Sequence, residues 1–204
     1  MLNKILNKLA EIPTKIELRK YQVFPKDTTS LILVNCQKGL VDEQPQLQSK
    51  LQELITFARQ NNWSVIHSPF NYSERKYPSP AHLLIDKKLK SAHSNVDLLF
   101  VEPNDIILPY RTTLSAFSET NLEQTLTNNG IEHIVLAGPL ADLTLDSTMR
   151  DGVQFDFHTA VITDVLSMTT NEYSIKDYTS TLSKYAQTVT NLKKLKKLAS
   201  KSST

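Results

Sequence analysis

The sequence predicts an α/β protein in three layers, α/β/α, around a five- or six-stranded, mainly parallel sheet. Three observations carry this. Strand-like apolar runs alternate with segments whose apolar residues recur at helical spacing. The run from Ser30 to Cys36, SLILVNC, is almost continuously apolar, as in a strand covered on both faces. The chain has 204 residues, 40% hydrophobic and 22% charged, enough for one domain with a sizeable core.

The elements follow in chain order. Leu2, Ile5, Leu6 and Leu9 share one helical face, so a short amphipathic helix is expected before Pro13, within an N-terminal extension spanning 1–28. That face would cover its own domain or a partner subunit. Residues 30–36 form the central strand. Leu47, Leu51, Leu54, Ile55 and Ala58 mark a helix, and 63–68 a second strand. Residues 69–104, punctuated by Pro69, Pro78, Pro80 and Pro103, read as a long excursion with room for one short helix. A third strand is expected over 105–110. Then comes a helix with Ser118 as N-cap, Leu122 and Leu126 on its inner face, and Gly130 at its end. Residues 133–138 give the fourth strand, followed by a helix from about Asp142. Residues 159–165 give the fifth. Ile175, Tyr178, Leu182 and Tyr185 mark a further helix, and 187–191 a short edge strand. Right-handed crossovers would place 30–36 between 63–68 and 133–138, in a Rossmann-like arrangement.

Composition removes several function classes. The glycines are Gly39, Gly130, Gly138 and Gly152, which make neither GxGxxG nor GxxxxGK[ST]. One cysteine, Cys36, excludes an intramolecular disulfide and fits a reducing, cytoplasmic setting. Its place on the first strand reads as a buried, inert thiol. No run approaches the ~20 apolar residues of a membrane span, and lysines interrupt the only apolar stretch at the start, unlike a signal peptide. Residues 191–204 hold five lysines and no acid; the rest carries 18 basic and 21 acidic residues. The body therefore lacks a basic stripe for nucleic acid. The end reads as a basic, flexible, solvated tail, with contact to RNA or an acidic membrane surface as the alternative.

In an open parallel sheet the site lies beyond the carboxyl ends of the strands, where strand order reverses. This selects Asn35 at the end of the first strand, Arg111 after the third, and Gly138 to Thr144 leading into a helix N-terminus with free N–H groups. Around these residues the chain resembles the isochorismatase-like hydrolases, which include nicotinamidases and related amidases. The resemblance covers about 29–190. It rests on three blocks: Val34-Asn35-Cys36-Gln37 with Gly39-Leu40-Val41; Arg111, three residues, then Ser115-Ala116-Phe117, with Thr120 and Leu122; and Gly138, five residues, Thr144, then Thr148.

The resemblance implies an Asp-Lys-Cys triad for amide hydrolysis, with backbone amides beside the Cys as oxyanion hole. Asn35, Arg111 and Thr144 stand at those positions. A carboxamide is no base near neutral pH, a threonine hydroxyl needs one, and a forked guanidinium is not equivalent to lysine. Arg111, Phe117, Leu140 and Ala141 are the expected ligand-contacting residues. The family also implies a homo-oligomer and a non-proline cis bond, here Pro139–Leu140. Some nicotinamidases hold a metal through an Asp and two His; His67, His82 and His93 lack that arrangement, so neither metal nor cofactor is expected.

Three readings stay open: a hydrolase that lost its triad and binds a small anion or a protein, a hydrolase working through a rearranged site, and a structural member. Arg111 without its acid would attract a small carboxylate, phosphate or sulfate. Alternatively Asp142, Asp146 or Glu102 neutralises it and closes the pocket. Asp142, Asp146 and Asp151 also suit the opening turns of a helix.

Overall fold

A computed structural model describes residues 23–201 apart from 73, 92–96 and 170–173. The expected helix over Leu2 to Leu9 and the residue His93 lie outside the described residues. Six parallel strands form one sheet: β1 (Thr29–Val34), β2 (Ser64–Ser68), β3 (Ile106–Ile107), β4 (His133–Gly138), β5 (His158–Leu166) and β6 (Thr188–Thr190), in the order β3-β2-β1-β4-β5-β6. The order reverses between β1 and β4, so a crevice falls at their carboxyl ends. In register, Leu31 of β1 stands between Val65 of β2 and Val135 of β4.

The helices are α1 (Pro45–Gln60), α2 (Pro80–Ser91), α3 (Leu122–Asn128), α4 (Asp146–Gln154), α5 (Ile175–Leu182) and α6 (Leu192–Lys201). β1 reads TSLILV and is buried along its whole length. On one sheet face Leu31 and Leu33 meet Leu51, Leu54 and Ile55 of α1 and Leu195 of α6. On the other, Ile32 and Val34 meet Leu122 and Leu126 of α3, Met149 of α4 and Leu182 of α5. This is the expected three-layer packing.

Several local expectations are corrected. The third strand is two residues long, not six, because Pro109 lacks the N–H a longer ladder needs and Ile107 sits half-exposed on the sheet edge. The N-cap of α3 is Asn121; the Ser118 N–H bonds back to the Ser115 carbonyl instead. The α4 segment opens with a π turn over Ala141–Leu145. Tyr185 lies past the end of α5 and is 42% exposed. No cis peptide bond occurs among the described residues, so Pro139–Leu140 is trans. Gly138 at φ 142° and Leu140 at φ 60° turn the chain into the helix instead.

The largest correction concerns the end of the chain. Residues 192–201 are a helix, not a solvated tail. Leu192, Leu195 and Ala199 are buried, a spacing of three and four that places them on one face against β5 and α1. The Leu192 N–H is capped by Asp164 Oδ1 at 2.8 Å. Lysine count disguised the apolar stripe.

At the amino end of the sheet His133 and His158 are register partners with rings 4.9 Å apart, edge to face, and Phe24 packs on both. Burial, then the neighbouring His133, pulls the His158 imidazole down to about 4 from 6.5; burial also lowers His133. The unfolded chain therefore takes up a proton between those pH values that the folded chain refuses. Stability is expected to be complete above about pH 6.5 and to fall as pH drops toward 4. Thermal unfolding across pH 8 to 4 checks this: His158→Gln should flatten the slope, and an unchanged slope would contradict the assignment.

Candidate functional site

β1 ends where Asn35 takes φ 59°, a conformation that Asn tolerates better than most residues. Its N–H is held by the Ser68 carbonyl. Beyond β3 the chain stays beside the end of β2: the Arg111 N–H bonds to the Pro69 carbonyl, and its own carbonyl accepts from the Asn71 N–H. Gln37 ties the same ends together, its amide donating to the Phe70 carbonyl and accepting from the Phe70 N–H. Thr144 sits in the π turn before α4. Thr148 Oγ1 donates to the Thr144 carbonyl and accepts from the Ala116 N–H, fixing the loop after Arg111 to this helix.

The structure brings Asn35, Arg111 and Thr144 together, all three fully buried. Arg111 Nη2 donates to Asn35 Oδ1 at 2.8 Å, and Asn35 Nδ2 donates to Thr144 Oγ1 at 2.9 Å. The orientation of the Asn35 amide is fixed by chemistry: a guanidinium only donates, so the oxygen must face it and the NH₂ must face Thr144. The Thr144 hydroxyl thus receives a hydrogen bond where a nucleophile needs its proton taken. It lies 3.4 Å from the Leu140 carbonyl, the acceptor for its own proton.

Arg111 is saturated. Nε donates to the Ser115 carbonyl at 3.1 Å. Nη1 donates to those of Ser68 at 3.0 Å and Pro69 at 2.8 Å. Nη2 serves Asn35 and, at 3.4 Å, the Leu114 carbonyl. These contacts match its five N–H groups. Burial pulls the guanidinium down to about 9, opposed by the more distant Glu119, so it stays charged at neutral pH. Glu119 is itself held by the Thr112 N–H and hydroxyl. The expected internal neutralisation of Arg111 by an acid is not what the structure shows. Asp142 accepts from Thr169, Asp146 from Arg150 and Tyr178, and Glu102 from Arg59. Carbonyl dipoles stand where an internal carboxylate was the alternative.

The mouth of the crevice is filled too. Leu140 packs with Leu40, Phe70, Ile85 and Leu89 in a small apolar cluster, with α2 supplying Ile85 and Leu89. Phe70 also lies under the guanidinium, 5.5 Å from its ring centre. The amides beside Thr144 are engaged: Leu143 and Thr144 N–H both bond to the Leu140 carbonyl at 3.1 Å, and Ala141 N–H to the Ser167 carbonyl. Of the expected ligand-contacting residues, Leu140 and Ala141 are buried in packing, and Phe117 stacks on Phe157 and lies tilted against Phe155. His67 is buried against Asp105, and the half-buried His82 bonds to Ser79. Burial pushes the Cys36 thiol far up, so it stays protonated. Sequence reasoning gave Gln37 and Thr148 no role; the spacing of four between Thr144 and Thr148 on a helix was the available signal. Ile85 and Leu89, four residues apart, were the available signal for the apolar cluster around Leu140.

Comparison with known proteins agrees with this architecture. A ureidoacrylate amidohydrolase, RutB, of Enterobacter sp. (strain 638) is 33% identical over 81 residues, 40% of this chain and 35% of that enzyme, so the match spans about a third of that relative's length. A cysteine hydrolase from Pseudomonas syringae pv. phaseolicola 1448A superposes with TM-score 0.70 at 17% identity, covering 88% of this chain and 96% of its own. The N-carbamoylsarcosine amidase of Thermoplasma acidophilum superposes at 0.62 with 18% identity, covering 80% and 95%. These two show a shared fold. The sequence profile of the isochorismatase domain matches residues 29–202, nearly the whole described chain, and on that match the chain belongs to the isochorismatase family.

Proposed function

We propose that this chain is a cytoplasmic, non-hydrolytic member of the isochorismatase family that works by binding a protein partner. The observation that carries the reading is the buried Arg111, saturated by carbonyl groups and turning Asn35 so that it donates to Thr144. A hydrolase needs a base, a free nucleophile and open oxyanion donors. Here the base position is an amide, the nucleophile position accepts a hydrogen bond, and the nearby amides are engaged. A saturated guanidinium is a poor host for a small anion, which favours a protein partner on the outer surface. No helix among the described residues is long and apolar enough to cross a membrane.

Turnover measurements test this. Ureidoacrylate, an N-carbamoyl amino acid, nicotinamide and isochorismate are each incubated with the full chain at neutral pH. The expected rate is that of buffer, with no difference between the native chain and Thr144→Ala. Turnover that disappears in Thr144→Ala would establish a rearranged active site and overturn the reading.

A further inference from the structure

The outer face of α6 carries Lys193, Lys194, Lys196 and Lys197 and no acid. The helix is anchored: Leu192, Leu195 and Ala199 are buried, and Asn191 Oδ1 and Asp164 Oδ1 cap its first amides. The lysines are therefore held on a fixed surface. Lys196 folds over the Phe57 ring to Glu53 at 2.9 Å, and Lys50 meets the same carboxylate at 3.0 Å. Glu53 thus serves two lysines already. Lys193, Lys194 and Lys197 are exposed and enter none of the ion pairs found among the described residues. They stand on a chain whose first 190 residues carry more acid than base.

We propose that this face of α6 docks an acidic segment of a protein partner, its carboxylates meeting Lys193, Lys194 and Lys197. The proposal deepens the reading of the chain as a binding protein and rests on it. Charge complementarity selects an anionic occupant, and the surroundings select its class. α6 presents no aromatic ring on which a base would stack. Its leucines face the core or are half-buried, and the exposed large apolar side chains, such as Tyr77, Leu83 and Phe155, sit on other elements, so nothing here would enter a bilayer. Lysines one and three to four residues apart on a helix match successive carboxylates of an acidic peptide.

Fluorescence anisotropy of a fluorescein-labelled ten-residue oligoglutamate, titrated with the full chain at low salt, tests the proposal. Saturable binding is expected, weakening several-fold between about 50 and 200 mM salt as the Debye length shortens. Lys193→Gln/Lys194→Gln/Lys197→Gln should lower affinity about 10-fold, while Lys26→Gln/Lys184→Gln, which removes two exposed lysines elsewhere, should leave it unchanged. Circular dichroism verifies folding, and single Lys194→Glu supplies the same readout should the triple variant lose its fold. A flat titration, equal loss in the control variant, or tighter binding to a ten-nucleotide single-stranded RNA or to phosphatidylserine vesicles would overturn it. Hydrolytic turnover would remove the functional reading and leave this titration standing; a flat titration would do the reverse.

Discussion

Arg111→Ala is expected to destabilise the chain by about 2–5 kcal/mol, measured by urea unfolding. The estimate combines the loss of a fully buried large side chain with the groups it leaves behind. Ser68, Pro69 and Ser115 carbonyls keep a second donor, from the N–H groups of Asn35, Arg111 and Ser118. Asn35 Oδ1 loses the donor it takes from Arg111 Nη2. Burying a cation is itself costly, yet five bonds and close packing are lost together, so the sign stays destabilising. Methylguanidine at millimolar concentration should restore part of the loss by refilling the cavity. A change below about 0.5 kcal/mol would show that Arg111 does not hold the site closed.

Gly138→Ala is expected to be more severe locally, about 3–5 kcal/mol, or to prevent folding. An added Cβ would lie 2.1 Å from the Val34 carbonyl oxygen and 3.1 Å from its carbon, against backbone that cannot swing away. The φ of 142° adds strain for any side chain. Gly138 thus lets β4 pass close beside the end of β1, where Asn35 begins. Gly130→Ala is the control: it also has positive φ, 65°, but nothing stands within 4 Å of the added Cβ. Its cost should be about 1 kcal/mol. Equal unfolding midpoints for the two variants would contradict the close-approach argument.

The fold was legible because parallel strands buried on both faces write themselves as apolar runs, as 30–36 and 133–138 do, and because leucine spacing in α1 matches a helix turn. Position at strand ends then singled out Asn35, Arg111 and Thr144 without their contacts. The fate of Arg111 was not legible. Sequence shows a cation without an acid and suggests an anion site or an internal acid as its partner, whereas its acceptors in the fold are Asn35 and main-chain carbonyls, which no residue type announces. The terminal helix escaped for a related reason. Lysines outnumber Leu192, Leu195 and Ala199, and only packing against β5 and α1 reveals which face decides. The turn at 138–140 was misassigned because backbone torsions there depend on how closely β1 and β4 approach.

Arg111 is a fully bonded, buried component of a closed site. Nitrogen-resolved NMR of the Arg111 guanidinium, assigned with Arg111→Lys, measures this directly. The Arg111 N–H resonances should exchange slowly with water and should not shift when acetate, benzoate or phosphate is added to about 10 mM. Fast exchange, or a saturable shift on adding any of these anions, would contradict it and show an open site.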